Sequence, residues 1–448
     1  MSQPLSQLTQ SLLDAAKAAG AASADAIAVD ATSLSIDVRG GVLEHAERSE
    51  GVEIGLRVLL GKRQACVSAS DVRPDTMTAM AERAVAMARE APEDPAIGLA
   101  APEELASSWD IEPLEIADPA PEPTPEQLLE DGRRAEAAAL RVDGISQVEV
   151  ASAGHSRQAI HIAATNGFSG GYQRTSNGLY CVAITGSDTN MERDHFGETL
   201  TFRSDLPSPE EVGRIAAERT VARAGARKPP TGAFPVLYDE RVSASLIGHL
   251  LSAINGASIV RGSSWARDLL ETRVLPDGLT LTEDPHRPRA ALSRPFDAEG
   301  LATRRRAIVD AGTLTGWTLD LATARKLDMK STANAARGLS SPPSPAAGNV
   351  ELTQGPKTPA DLMQDMGTGL LVTSMIGSSI NPTTGDYSRG ASGFWIENGQ
   401  IAYPVNECTI AGNLREMLLS IVPANDARAY RSRVVPSLLV EGLTLAGE

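Results

Sequence analysis

Segments in which apolar and polar residues alternate are grouped along this chain, with few helical segments between the groups. Residues 25–41 (DAIAVDATSLSIDVRGG) alternate in this way and predict a strand, and residues 52–71 predict a hairpin with Gly61 at its turn. Residues 147–203 predict short strands, with one of the turns at 175–178. Because grouped strands favour pairing with each other over regular βαβ units, the sequence predicts an α+β fold.

Helices are predicted around these groups of strands. Apolar residues recur at spacings of three and four over residues 5–18, which is typical of an amphipathic helix, and a second helix follows Pro74. Thr124 and Gln127 form a capping box ahead of a third helix, and Ser208 opens a fourth helix in the same way. The first half therefore mixes strands with helices that can cover one face of a sheet.

The chain has 448 residues, which is more than one compact core usually takes, so two domains are expected. Residues 91–125 are rich in proline and acid and predict a loop that either wraps the surface or marks a boundary. Residues 227–242 interrupt the pattern again. We predict an N-terminal α+β domain over 1–227 and a β-rich C-terminal domain over 228–448, each with a mostly antiparallel sheet and packed helices.

Charge and cysteine content exclude several classes of function. The 41 basic and 57 acidic residues give a net charge of −16, which argues against a nucleic-acid partner. Cys66, Cys181 and Cys408 are far apart and form no CxxC pair, so neither a disulfide framework nor a zinc knuckle is indicated. The start of the chain lacks the pattern of a signal peptide, and no apolar stretch approaches the roughly 20 residues of a membrane span. These features predict a cytoplasmic protein with no membrane partner.

A single histidine stands on the helix predicted after residue 240. The stripe expected to face the core is Val242, Leu246, Leu250 and Ala253. His249 falls nearer the small residues Ser245, Gly248 and Ser252, which leave room for a packed neighbour or for a ligand. A zinc ion needs about three protein ligands, and this helix offers at most one. The sequence therefore predicts no metal site, and His249 is either hydrogen-bonded at the edge of a core or part of a binding site.

Residues 381–413 (NPTTGDYSRGASGFWIENGQIAYPVNECTIAGN) contain the densest group of polar residues in a glycine-rich frame. Asp386 and Arg389 can pair with each other and pin the loop, or Arg389 can grip a carboxylate such as a peptide C-terminus. Asn398 and Gly399 predict the turn of a β-hairpin that follows. The candidate binding residues are Gly385, Asp386, Tyr387, Ser388, Arg389 and His249, with no catalytic residue in this chain.

The stretch GDYSRGASGFWIENGQIAYPVNECTIAGNL, together with the closing PSLLVEGLTLAG, resembles the PmbA/TldE branch of the TldD/PmbA family. The segment GLRVLLGKRQACVSASD is similar to the N-terminal hairpin of that family, so the resemblance covers nearly the whole chain. In the TldD branch, a helix at the start of the second domain carries HExxxH. Here Ala244 stands at the first ligand position and Ser245 at the general base, while His249 matches. The third TldD ligand, a cysteine near the C-terminus, has no counterpart after Cys408.

The resemblance implies a heterodimer with a TldD-type zinc subunit that degrades or trims unfolded peptides. This chain would then be a non-catalytic, metal-free subunit that helps to form the substrate chamber and binds extended peptides by strand addition. Zinc is expected in the partner and no cofactor in this chain. Two alternatives stay open: an autonomous metallopeptidase with an unrecognised site, and a homodimeric peptide-binding or scaffold protein.

Overall fold

A computed structural model describes residues 4–447 of the chain. Its helices are α1 Leu5–Ala18, α2 Pro74–Glu90, α3 Pro125–Leu140, α4 Pro209–Val221, α5 Glu240–Ala253, α6 Gly256–Arg261, α7 Leu321–Lys326, α8 Pro359–Met366 and α9 Leu414–Leu419. Its strands are β1 Ser23–Arg39, β2 Val42–Leu60, β3 Arg63–Ala69, β4 Ile145–Ala164, β5 Ser169–Thr185, β6 Glu192–Leu200, β7 Gly232–Tyr238, β8 Leu281–Glu283, β9 Arg306–Asp310, β10 Thr313–Leu314, β11 Ala335–Ala336, β12 Ser344–Pro345, β13 Val350–Leu352, β14 Gly369–Ile380, β15 Asp386–Glu397, β16 Gln400–Asn413, β17 Val422–Pro423, β18 Arg433–Val434 and β19 Leu438–Ala446. The α+β prediction is confirmed. No helix within residues 4–447 is long and apolar enough to cross a membrane.

The first sheet has the strand order β3-β2-β1-β4-β5-β6, with every neighbouring pair antiparallel. The even-numbered residues of β1 face the helices, so Ala26 packs with α1 and α2 while Ile36 packs with α3 and α4. The predicted turn at 175–178 is wrong, because β5 runs unbroken through it and pairs with β4 over its whole length. The polar TSNG stretch lies in a central strand, between β4 and β6.

The main sheet of the second half has the order β16-β15-β14-β7-β19-β17. Tyr238 and Leu250 lie in the core between this sheet and α5, whereas α8 covers part of the opposite face through Leu362. The predicted hairpin is confirmed: β15 and β16 are joined at Asn398 and Gly399, both with positive φ, as a two-residue turn of this kind requires. The sheets of the two halves share no strand, and the domain boundary at 227 stays a prediction.

The proline-rich loop 91–125 wraps the surface and contacts both halves of the chain. Trp109 packs on Phe168 from the turn between β4 and β5 and on Phe296 from the second half, with ring centroids 5.8 and 4.8 Å apart. Phe168 and Phe296 also meet edge to face at 5.0 Å. The loop is thus held in place by a three-ring aromatic cluster at the junction.

Buried charges lie at the same junction. The guanidinium of Arg57 donates to Asp25 at 2.5 Å, and Arg337 from the second half pairs with the same carboxylate. Glu299 accepts a hydrogen bond from the backbone N–H of Leu321 at 2.9 Å. Burial, and then the nearby Asp297 carboxylate, raise the pKa of Glu299 to about 8. This acid therefore lies near its titration point at neutral pH.

A second set of ion pairs joins β6 to α5. Arg428 contacts Glu198 at 2.7 Å and Glu240 at 2.6 Å, and Arg431 contacts the same two carboxylates at 3.2 and 3.4 Å. Each arginine therefore bridges the edge of the first sheet and the first turn of α5. This network positions the helix that carries His249.

Candidate functional site

The strand β15 carries most of the candidate residues, and its alternation sends them to opposite faces of the sheet. Tyr387 is buried in the core that includes α5, and Arg389, two residues later, shares that face. Ser388 falls on the other face, as does Gly390. The sheet therefore separates the predicted residues into two groups.

Gly385 and Asp386 fasten the loop that leads into β15. Gly385 has a φ of +82°, and its carbonyl accepts a hydrogen bond from the N–H of Leu414 at 2.8 Å. The exposed Asp386 carboxylate accepts hydrogen bonds from the Thr384 hydroxyl at 2.7 Å and the Asn413 amide at 3.2 Å, which lower its pKa. Of the two alternatives that the sequence left open, the pairing of Asp386 with Arg389 is not seen within residues 4–447, because neighbouring polar groups of the loop already satisfy this carboxylate.

Arg389 is half-buried and is held by a backbone group. Its Nε donates to the carbonyl of Gly377 at 2.8 Å, where β14 bulges away from β15. Within residues 4–447, Arg389 makes no ion pair with a carboxylate. The two terminal nitrogens of its guanidinium are therefore not engaged by an acid of the fold.

His249 packs beneath β15. Its ring meets that of Tyr387 edge to face, with centroids 5.9 Å apart. The Nε2 atom is buried without a hydrogen-bond partner, so the expectation of a hydrogen-bonded core histidine is not met at this nitrogen. Burial, and then the charge of Arg389, lower the pKa of His249. The room left by Gly248 is taken by a neighbour, since a Cβ there would lie 2.9 Å from the guanidinium of Arg433.

The donor set on α5 does not fit a zinc ion. Ala244 has no ligand atom, and the Ser245 hydroxyl donates to the carbonyl of Val242 at 2.6 Å. Neither residue can replace the imidazole and carboxylate of a zinc-peptidase helix. In the part of the chain that the structure describes, no three His, Cys, Asp or Glu side chains are grouped to hold a metal ion.

A cleft of about 810 Å³ lies between the first sheet and strands β14–β16, and we call it the junction cleft. Its walls combine exposed apolar side chains with charged ones. Ile376 is 77% exposed and Met191 is 49% exposed, beside the charged residues Arg39 and Glu149. Gly390 lines it as well, on the same strand as the candidate residues.

Tyr238, which the sequence did not single out, lies with the candidate residues on the α5 side of the sheet. Its side chain is fully buried, and the polar group beside its hydroxyl is the hydroxyl of Tyr387. Burial, and then the neighbouring Tyr387, raise its pKa, and the charge of Arg389 acts in the opposite direction. The pairing of β7 with β14 and with β19 brings Tyr238 to this place, and no local motif signals it. We call Tyr238, His249, Tyr387 and Arg389 the Arg389 cluster.

A hydroxyl–imidazole pair that the sequence also did not reveal lies at the turn between β4 and β5. The Thr9 hydroxyl donates to the carbonyl of Ser6 at 3.1 Å, so it accepts from Nδ1 of His161 at 2.9 Å. This leaves Nε2 of His161 facing the Ser169 hydroxyl at 3.4 Å. Residues 167–171 read GFSGG, the spacing of a nucleophile turn, but they join two strands rather than a strand and a helix. The long contact and this context favour a structural role.

Three consecutive family models match the chain. They are described as PmbA/TldA metallopeptidase domain 1, central domain and C-terminal domain, and they cover residues 24–88, 118–224 and 231–447. The "Metalloprotease PmbA" of Escherichia coli O157:H7 is 36% identical over 93% of this chain and 90% of its own length.

Solved structures show the same fold. A crystal structure from Bacteroides thetaiotaomicron has a TM-score of 0.90 and 26% identity, and the match covers 99% of this chain and 98% of that one. TldE from Thermococcus kodakarensis has a TM-score of 0.85 at 18% identity, with 98% and 100% covered.

The fold and the matched domains define a metallopeptidase-like protein whose α5 helix lacks a zinc-binding donor set. The chain belongs to the PmbA/TldD metallopeptidase family. The family resemblance noted in the sequence is therefore confirmed.

Proposed function

We propose that this chain is the non-catalytic, metal-free partner of a TldD-type zinc metallopeptidase in the cytoplasm. In the heterodimer it forms part of the chamber in which unfolded peptides are degraded or trimmed. The zinc ion and the general base come from the TldD-type subunit. The observation that carries the proposal is the donor set of α5, where Ala244 and Ser245 stand at the positions of a ligand and a base.

The junction cleft supports a role in holding unfolded peptides. An unfolded chain exposes apolar and charged side chains together, and the cleft offers partners for both, with Ile376 and Met191 beside Arg39 and Glu149. Backbone hydrogen bonding, as in strand addition, would hold peptides of many sequences without selecting one. The names of the relatives, "Metalloprotease PmbA" and TldE, agree with a place in a peptidase system.

The test measures zinc content and hydrolysis of an unstructured peptide, for this chain alone, for a TldD-type protein from the same organism alone, and for their mixture. We expect no stoichiometric zinc and no cleavage for this chain, and more cleavage in the mixture than with the TldD-type protein alone. Sedimentation of the mixture should show a heterodimer.

Two results would contradict the proposal. Chelator-sensitive cleavage by the isolated chain would establish an autonomous metallopeptidase. A stable homodimer that neither binds the TldD-type protein nor changes its activity would establish a separate peptide-binding or scaffold protein. A variant with Ile376→Asp in the junction cleft should still bind the partner but stimulate cleavage less, which separates assembly from peptide binding.

A further inference from the structure

The Arg389 cluster contains buried polar atoms that the fold leaves with a weak partner or with none. The fully buried hydroxyl of Tyr238 has the Tyr387 hydroxyl as its neighbour, and Nε2 of His249 is buried and unpaired. Buried polar atoms are almost always hydrogen-bonded, so each exception calls for a water, an ion or a ligand. His249 on α5 and Tyr238 at the end of β7 both border Tyr387, which points to a shared occupant.

As a donor, the hydroxyl of Tyr387 has only a weak partner. It donates to the thioether sulfur of Met375 at 3.4 Å, and a thioether is a poor acceptor. The ring of Tyr387 is fixed by its edge-to-face contact with His249. This hydroxyl is therefore a third donor that can turn to a better acceptor without moving the ring.

Arg389 supplies positive charge that no acid of the fold neutralises. Its charge acts on His249, Tyr238 and Tyr387, and no carboxylate of the described residues has an appreciable effect on any of the three. Because Nε is occupied by the Gly377 carbonyl, the remaining donors of the guanidinium are its two terminal nitrogens. A guanidinium presents such nitrogens to carboxylate oxygens in a geometry that favours charge-assisted hydrogen bonds.

We propose that the Arg389 cluster binds a carboxylate, with Arg389 as its counter-ion and the hydroxyls of Tyr387 and Tyr238 as further donors. A phosphate fits less well, because a single arginine would leave part of its charge unpaired in a half-buried site. The identification of this carboxylate as the C-terminus or an acidic side chain of a peptide rests on the proposed function. Binding of a free carboxylate does not depend on it.

The first experiment measures the melting temperature of the full chain in sodium acetate against sodium chloride at equal ionic strength. We expect acetate to raise the melting temperature of the wild type and to have no such effect on Arg389→Gln. Arg304→Gln is the matched control, because Arg304 is exposed in the loop before β9 and should leave the acetate effect intact. Tyr238→Phe removes one hydroxyl and keeps the buried ring, so it should fold normally and reduce the acetate effect.

The second experiment measures fluorescence anisotropy with one unstructured peptide in three forms: a free C-terminal carboxylate without Asp or Glu, its C-terminal amide, and the amide with one internal Glu. Because the carboxylate forms gain a charge-assisted hydrogen bond, we expect them to bind roughly ten-fold more tightly than the amide. The two carboxylate forms distinguish a chain terminus from an acidic side chain. The difference should disappear in Arg389→Gln.

The proposal is overturned if acetate stabilises wild type and Arg389→Gln equally, or if it stabilises neither and the peptides show no carboxylate preference. If Arg389→Gln fails to fold, the test uses Tyr238→Phe instead. An acetate-induced rise in its melting temperature equal to that of the wild type would reject the site. If the chain binds acetate at Arg389 but does not stimulate a TldD-type peptidase, the carboxylate site is supported and the proposed function is contradicted. The two ideas therefore fail separately.

Discussion

His249 and Tyr387 meet edge to face, with ring centroids 5.9 Å apart and Nε2 of the imidazole buried without a partner. An unpaired buried nitrogen costs about 1–3 kcal/mol relative to one that is hydrogen-bonded. The substitution His249→Leu keeps an apolar contact with Tyr387 and removes that nitrogen. We expect the free energy of unfolding in urea to stay the same or to rise by about 1 kcal/mol. The exposed His45→Leu is the control, and a loss of more than about 2 kcal/mol for His249→Leu alone would show that the nitrogen is satisfied in solution.

Because of Glu299, the free energy of unfolding should fall as the pH rises. Its pKa is about 8 in the folded chain and near 4.5 when unfolded, so between these values the folded state binds more protons than the unfolded state. The stabilisation is full below pH 4.5 and is lost as the pH rises through 8. The free energy of unfolding should fall by at most about 1.4 kcal/mol per pH unit.

Glu299→Gln keeps the acceptor for Leu321 and cannot ionise. Urea unfolding from pH 5 to 9 should therefore show a shallower decline for this variant than for the wild type. Glu103→Gln, in an exposed turn of the loop, should follow the wild type. Parallel curves for Glu299→Gln and the wild type would mean that Glu299 titrates normally.

Arg428→Ala should cost more stability than an ordinary surface ion pair. It removes a partner from Glu198, which is only 8% exposed, and from Glu240, which is 11% exposed. Because Arg431 still contacts both carboxylates, we expect a loss of about 1–3 kcal/mol rather than complete unfolding.

The control for this prediction is Arg214→Ala, which removes an exposed pair with Glu218 on α4. Such i,i+4 pairs contribute about 0.3–0.5 kcal/mol. Both losses are measured by urea unfolding at low and moderate salt. Equal losses for the two variants would show that the network between β6 and α5 is no stronger than a solvated pair.

Gly393→Ala should be strongly destabilising. A Cβ at this position would lie 1.9 Å from the carbonyl oxygen of Leu371 on the neighbouring strand, so β14 and β15 would have to separate. Overpacking of this kind costs about 1–3 kcal/mol or more. Gly51→Ala is the matched strand control, because nothing lies within 4 Å of its Cβ position. Thermal unfolding should show a lower melting temperature for Gly393→Ala only, and similar values for both would contradict the close approach.

The local structure of the chain was largely predictable from its sequence. The Asn398–Gly399 turn, the amphipathic α1 and the capped α3 each depend on neighbouring residues, and all three are confirmed. The predicted turn at 175–178 was wrong, because the prediction relied on serine, asparagine and glycine, which usually mark turns. In β5 they lie in the centre of a sheet, where pairing with β4 overrides local preference.

The candidate site was only partly predictable. The sequence places Tyr387 and Arg389 two residues apart on a strand, which puts them on one face. It does not show that the Asp386 carboxylate accepts hydrogen bonds from Thr384 and Asn413. Nor does it show that the pairing of β7 with β14 brings Tyr238 to the same cluster as Arg389. Those contacts depend on how distant strands pair, and no spacing in the sequence encodes them.

The aromatic cluster of Trp109, Phe168 and Phe296 has a consequence for synthesis on the ribosome. Two of its rings emerge early, but Phe296 follows Phe168 by more than a hundred residues. Until then, the face of the first sheet that carries Ile27 lacks its cover. A nascent first half therefore presents an aggregation-prone apolar surface for several seconds at ordinary translation rates of about 5–20 residues per second.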